Sequence, residues 1–120
     1  MTDSPRSFAD LTVRDFSEAL ASAAPTPGGG SAAAIAASLA ASLTAMVARL
    51  SADRPRYAPY VKTHTRGLEA AEAARVRFLA LADEDSDAYA AFGAARKLPK
   101  DTPEEAATRN AAIATAALRA

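Results

Sequence analysis

Apolar and polar residues follow one another along most of this chain with the spacing of α-helices, and no segment has the alternating pattern of a β-strand. Prolines interrupt that spacing near residues 25–27, 55–59 and 99–103, where a helix cannot simply continue. The pattern predicts an all-α bundle of about four helices, packed at angles from orthogonal to antiparallel. We expect the helices at about 12–23, 31–50, 57 or 60 to 97, and from 103 onward.

Polar residues mark where three of these helices begin. Thr12 and Ser31 are suitable N-caps for the first and second helices. Thr102 and Glu105 form a capping box around a proline at the first helical position, which is the clearest start signal in the chain. The last helix has no glycine, asparagine or proline to end it. We therefore expect one domain over residues 1–120, with a flexible N-terminus at 1–11 and an incomplete C-terminal end.

The second helix has all its large side chains on one stripe and only small residues elsewhere. Arg49 is its single charge, and a helix without a charged face is typical of a buried position. Alanine and serine on the remaining faces would let neighbouring helices approach closely. We therefore expect this helix to be the central, fully enclosed helix of the bundle. The stripe consists of Ile35, Leu39, Leu43, Met46, Val47 and Leu50.

The third helix is the longest, and its expected core face includes one acidic residue. Asp85 falls in line with aromatic and aliphatic side chains at helical spacing. Gly67 is a weak point in this helix. The expected core face consists of Tyr60, His64, Leu68, Ala71, Phe78, Ala82, Asp85, Tyr89 and Phe92.

Composition limits the classes of protein to which this chain can belong. Of the 120 residues 50% are apolar, but 35 residues are alanine, which contributes little apolar area to a core. The 14 basic and 14 acidic residues balance, so we expect no nucleic-acid or anionic-membrane partner. The absence of cysteine excludes disulfides and thiolate metal sites. The uncharged run 31–48 is too rich in Ala, Ser and Thr to predict a membrane span, and we expect a cytoplasmic protein.

A glycine-rich loop precedes the second helix. Gly28, Gly29, Gly30 and Ser31 would present free backbone amides at a helix N-terminus, which favours a carboxylate or phosphate ligand. The loop is neither a Walker motif nor a dinucleotide fingerprint, because no Gly-Lys-Ser/Thr follows and no strand precedes it. The alternative is steric: glycine lets the loop turn sharply against a packed neighbour.

Two sets of charged residues are further candidates. Asp83, Asp85 and Asp87 belong to an acidic cluster in which a carboxylate held against apolar surface could serve as general acid or base. The alternative is a solvated acidic patch. A metal site is not expected, because the single histidine, His64, lies several turns away. The basic set could converge on an anionic ligand or be ordinary surface charge, and consists of Lys97, Lys100 and Arg109.

Four stretches occur together in an order that resembles a known enzyme family. They are "PTPGGGSAAA", "AMVARLS", "DEDSDAYAAF" and "KLPKDTPEEAATRNAAI". Their order and spacing over residues 12–120 are similar to the cyclodeaminase/cyclohydrolase family of folate enzymes. The resemblance implies an all-α fold, homodimers formed through helical faces, and a one-carbon tetrahydrofolate as substrate with no metal or redox cofactor. It does not separate cyclodeaminase from cyclohydrolase activity, and relatives continue past the equivalent of Ala120.

The resemblance also suggests roles for individual residues. The acidic motif of the family falls on Asp83 and Asp85. Its Leu-Pro-Lys falls on Leu98-Pro99-Lys100, and its following arginine falls on Arg109. As a hypothesis, Asp85 is the base and electrostatic stabiliser and Asp83 supports it. Lys97, Lys100, Arg109 and the loop Gly28–Ser31 would then bind the substrate. A second hypothesis is a helical assembly module that has kept the fold and lost catalysis.

Overall fold

A computed structural model describes residues 6–120 and, within them, contains four α-helices and no strand. This confirms the predicted all-α class. Residues 1–5, part of the expected flexible N-terminus, lie outside the described residues. Two short 3-10 segments, Phe8–Asp10 and Pro55–Tyr60, precede the first and third helices. The helices are α1 (Val13–Ala21), α2 (Gly29–Ala52), α3 (Val61–Arg96) and α4 (Pro103–Ala117).

Capping residues fix two of the helix starts as predicted. The Thr12 hydroxyl accepts a hydrogen bond from the Asp15 amide, at 3.0 Å. At α4, the Thr102 hydroxyl accepts from the Glu105 amide at 3.1 Å, and the Glu105 carboxylate accepts from the Thr102 amide at 3.2 Å. The prediction for Ser31 is wrong. Gly28 is the N-cap of α2, and it has no side chain with which to cap the helix.

Helices α2 and α3 form an antiparallel pair through small residues. The hydroxyl of Ser31 donates to the Ala82 carbonyl at 2.6 Å, and that of Ser38 donates to the Arg75 carbonyl at 2.9 Å. These bonds require the two backbones to lie close together, which alanine and serine permit. The buried residues of α2 all belong to this face: Ser31, Ser38, Ala41, Ala45 and Ala48.

The expectation that α2 is enclosed on all sides is wrong for this chain. Ile35 at the start of its large-residue stripe is half-buried, but the rest of the stripe is exposed. The exposed fractions there run from 47% at Met46 to 63% at Leu39. The physical reason is that the small-residue face gives the closer helix contact, so α3 packs there. Among the described elements, only α3 covers α2 along its length. By length and composition α2 could also cross a membrane, a test that core helices of soluble proteins pass as well.

Helix α3 is continuous over 36 residues, or about 54 Å at 1.5 Å per residue, and Gly67 does not interrupt it. Its predicted core face is right for Ala71 and Ala82, which are buried. It is wrong for Tyr60, which precedes the helix, and for Tyr89, because both are more than half exposed. The remaining members of that face are half-buried: His64, Leu68, Phe78, Asp85 and Phe92.

The ends of the chain both return to α3. Helix α4 packs along the C-terminal half of α3, and the Arg109 side chain donates to the Arg96 carbonyl at 3.2 Å. The segment Phe8–Asp10 also contacts α3. Part of the stretch that we expected to be flexible is therefore a hydrogen-bonded turn on the long helix. Segments far apart in sequence thus meet near the middle of α3.

Candidate functional site

A cleft of about 450 Å³ lies where the start of α2, the middle of α3 and the end of the chain come together. Its floor is apolar, because α2 contributes only glycine and alanine there and α3 contributes Phe78 and Leu81. Its polar groups come from Glu84, Asp85 and Arg119. The full lining is Gly30, Ala33, Ala34, Ala37, Phe78, Leu81, Glu84, Asp85, Arg119 and Ala120.

Gly30 and Asp85 are in direct contact across the two helices. A Cβ atom on Gly30 would overlap both oxygens and the carboxyl carbon of Asp85. Gly29 has nothing within 4 Å of such an atom, and Gly28 has only the Pro25 carbonyl, at 3.8 Å. The steric alternative for the glycine loop therefore holds at Gly30 alone. That glycine leaves room for a carboxylate beside the first turn of α2.

The Asp85 carboxylate is half-buried in this position. It accepts no hydrogen bond and forms no ion pair with any residue from 6 to 120. Its neighbour Glu84 differs, because Arg77 binds it through two bonds of 2.6 and 3.1 Å. Those bonds hold the pKa of Glu84 below its usual value. Asp85 is thus the acid of the cleft whose oxygens remain available to a ligand.

Asp83 has a different set of contacts. Its carboxylate accepts from the Ser7 hydroxyl at 2.6 Å and from the Phe8 amide at 2.9 Å. Two residues along a helix correspond to a rotation of about 200°, so Asp83 and Asp85 project to nearly opposite sides of α3. Asp83 therefore anchors the Phe8–Asp10 turn and does not line the cleft. No hydrogen bond joins Asp83 to Asp85 among residues 6–120, so its predicted role as a support for Asp85 stays a prediction.

Comparison with known proteins identifies the family of this chain. A profile of the formiminotransferase-cyclodeaminase family matches residues 12–120. The chain belongs to this family. It is 39% identical over 102 residues to the methenyltetrahydrofolate cyclohydrolase of Methylorubrum extorquens, a match that covers 85% of this chain and 49% of that protein. The chain thus spans about half the length of this relative.

Two mammalian relatives match at 36% identity over 108 residues. They are the formimidoyltransferase-cyclodeaminases of Rattus norvegicus and Mus musculus. Each match covers 90% of this chain and 20% of the relative. The similarity therefore concerns one part of each longer relative. The family match over residues 12–120 includes all the residues of the cleft.

The basic residues proposed from the family resemblance lie outside the cleft. Arg109 is engaged with the end of α3, and Lys97 and Lys100 are exposed at the connector that follows α3. Ser31 is fully buried and its hydroxyl is used between helices. Of the predicted site residues, the structure brings together only Gly30 and Asp85. The binding roles of the others stay predictions.

Arg119 is the cleft residue that sequence reasoning missed in this family member. Its place in the cleft follows from the register between α3 and α4, which pack antiparallel. Because Arg109 lies opposite Arg96, a residue ten positions later lies opposite the acidic stretch of α3 near residue 86. The arginine at 119 is the basic side chain at that position.

His64 lies at the other end of the α2–α3 pair. Its Nδ1 atom is buried without a hydrogen-bond partner among the described residues, and its ring stands edge-on to Tyr57 at 6.0 Å. It lines a small cavity of about 70 Å³ with Ala48 and Leu68. Within residues 6–120, no group of three or more histidine, aspartate or glutamate side chains is placed to hold a metal ion.

Proposed function

We propose that this chain carries the substrate cleft of a folate one-carbon enzyme of the cyclohydrolase or cyclodeaminase type. The observation that carries the proposal is the Asp85 carboxylate, which lies over Gly30 in an apolar cleft and has no hydrogen-bond or ion-pair partner among residues 6–120. A volume of about 450 Å³ lies within the range of small-molecule sites. Family membership supplies the substrate class, since a relative is named for its action on methenyltetrahydrofolate.

Both reactions of this class need a negative group beside a cationic carbon. In the cyclohydrolase reaction, water adds to the methenyl carbon, loses a proton, and the C–N5 bond opens to give the 10-formyl product. In the cyclodeaminase reaction, N10 attacks the formimidoyl carbon and gives up its proton. The nitrogen of the formimidoyl group takes up a proton and leaves as ammonia. One carboxylate can accept the proton in either case and stabilise the positive charge.

Asp85 suits that role by its position. Its oxygens are free of the arginine that neutralises Glu84, so its negative charge can act on a ligand. Phe78 and Leu81 offer apolar surface for the flat ring system of a pterin. The substrate needs no metal or redox cofactor for either reaction, because the carbon that reacts is already activated by its nitrogen neighbours.

An Asp85→Asn variant of this chain tests the proposal. We expect turnover of methenyltetrahydrofolate or of formimidoyltetrahydrofolate to fall by about 10²–10⁴-fold, the range for loss of a general base. Binding of the reduced folate should stay within a few fold, because asparagine keeps the shape of the side chain. Absorbance of the methenyl group and release of ammonia measure the two activities and separate them.

The matched control is Asp87→Asn, an exposed acid of the same helix that does not line this cleft. We expect its turnover to equal that of the unchanged chain. Turnover of Asp85→Asn within a few fold of the unchanged chain would contradict the role of Asp85.

A second candidate function is an assembly module without catalysis. The exposed apolar face of α2 favours it, because such a face suits contact with another helix, including that of a second copy in a homodimer. Equilibrium binding of a reduced folate separates the two candidates, since a pure assembly module has no affinity for it. For both candidate functions we propose that the protein lies in the cytoplasm, where reduced folates are metabolised.

A further inference from the structure

Arg119 stands at the junction of three hollows on the α3 side of the molecule. It lines the cleft with Gly30 and Asp85, and a neighbouring hollow of about 350 Å³ with Glu84 and Asp87. It also lines the apolar groove between α3 and α4. Arg119 therefore lines the proposed substrate cleft from a position just after α4.

Arg119 is not paired with the acidic residues of α3 that the structure describes beside it. Within residues 6–120 it forms no ion pair, although it shares hollows with three acidic residues of α3. Glu84 is already paired with Arg77, which is 2.6 Å away. A guanidinium in this setting can bind a carboxylate through two parallel hydrogen bonds, which a lysine cannot do.

The cleft thus has charges of opposite sign among its lining groups. Among residues 6–120, Asp85 provides an unpaired negative group above Gly30, and Arg119, which follows α4, provides an unpaired positive group. A ligand that is complementary to this arrangement carries a cationic centre and, apart from it, an anionic group. 5,10-Methenyltetrahydrofolate and protonated 5-formimidoyltetrahydrofolate have this form, with a cationic one-carbon unit at the pterin and carboxylates on the glutamate tail.

We propose that Arg119 binds the glutamate carboxylate of the folate while Asp85 faces its one-carbon unit. The proposal rests on the proposed function and adds a binding residue to it. It replaces the connector lysines with an arginine that lines the cleft itself.

The test compares two ligands and two substitutions. The ligands are 5-formyltetrahydrofolate and the corresponding tetrahydropteroate, which lacks the glutamate, and their dissociation constants are measured by calorimetry. The unchanged chain should bind the glutamate form more tightly. In Arg119→Gln, affinity for the glutamate form should fall at least tenfold, while affinity for the pteroate stays within twofold.

Arg119→Lys keeps the charge without the planar fork, and we expect an intermediate loss. Arg66→Gln is the matched control, because Arg66 is an exposed arginine of α3 outside the cleft. It should leave both affinities unchanged. Far-UV circular dichroism should show the same helix content in all variants, since Arg119 follows the last full turn of α4.

Two results would overturn the inference in different ways. If Arg119→Gln keeps the full preference for the glutamate form, Arg119 is not the anchor and the folate site itself stands. If the unchanged chain binds neither ligand, the proposed function fails and the inference fails with it.

Discussion

Gly30 and Asp85 show how one small residue can make room for a carboxylate on a neighbouring helix. The absence of a side chain at Gly30 lets a carboxylate from α3 lie against the first turn of α2. The backbone of Gly30 has no positive φ, so space and not conformation is the reason for glycine there. Asp83, only two residues from Asp85, has its oxygens occupied by Ser7 and Phe8. Neighbouring acids on one helix thus have separate tasks.

A Gly30→Ala substitution should therefore damage the site and spare the fold. The new methyl group would displace the Asp85 carboxylate, so we expect turnover to fall at least tenfold. The free energy of unfolding should change by less than about 1 kcal/mol, because alanine is a good helix former and Asp85 can rotate away. Enzyme assay and urea unfolding measure the two effects.

Gly93→Ala is the control for Gly30→Ala. A Cβ atom at Gly93 of α3 has nothing within 4 Å. This variant should keep its activity and gain slightly in stability. Full activity of Gly30→Ala would mean that the position of Asp85 beside Gly30 has no part in the reaction.

At the scale of elements, the α2–α3 pair joins through its small residues. Ala45 is 1% exposed at this contact, whereas Leu43, two positions earlier, is 59% exposed on the opposite side. Hydrogen bonds from Ser31 and Ser38 to carbonyl groups of α3 hold the two backbones close. The Arg49–Glu72 ion pair, 3.0 Å long, joins the same two helices. The large side chains of α2 add little to this contact.

Enlarging a small residue of α2 should therefore lower the free energy of unfolding more than removing a large side chain from its other face. Ala45→Leu should destabilise the chain by about 1–3 kcal/mol, because the added atoms force α2 and α3 apart. Leu43→Ala should cost less than about 1 kcal/mol, because its side chain is already mostly in water. Urea unfolding at a concentration where sedimentation shows a monomer measures both. If Leu43→Ala destabilised the chain more than Ala45→Leu, the contact between α2 and α3 would have to lie on the large-residue face.

At the scale of the whole molecule, the chain is elongated. It measures 72 × 29 × 29 Å and has a radius of gyration of 20.3 Å, whereas a compact domain of this length would have about 14 Å. Its core consists mainly of alanine, and within residues 6–120 no leucine, isoleucine, phenylalanine or valine is fully buried. A large part of the apolar surface of the monomer therefore stays in water.

This low burial should be visible in the heat capacity of unfolding. A typical chain of 120 residues has a heat-capacity change of about 1.4–1.8 kcal/mol/K, because unfolding exposes apolar surface. We expect a smaller value for the monomer of this chain, since much of that surface is already exposed. Differential scanning calorimetry at several protein concentrations measures it. A monomer with a value inside the typical range would contradict the structure of its core.

The sequence by itself determined the helices and several of their starts. Helical spacing, proline breaks and the Thr102–Glu105 capping box act over a few residues, so they can be recognised without the fold. The sequence also singled out Gly30 and Asp85 as candidates, although it placed them among others without distinction. Family motifs indicated the all-α fold and the family to which the chain belongs.

Only the tertiary structure decided which face of α2 is buried and which residues form the cleft. Periodicity shows that a helix has two faces, but it does not show which one a neighbour will cover. Here backbone approach and two interhelical hydrogen bonds favoured the small-residue face. The return of α4 along α3 brought Arg119 to the acidic stretch and left Lys100 outside. Such choices depend on contacts between residues far apart in sequence, which no local pattern contains.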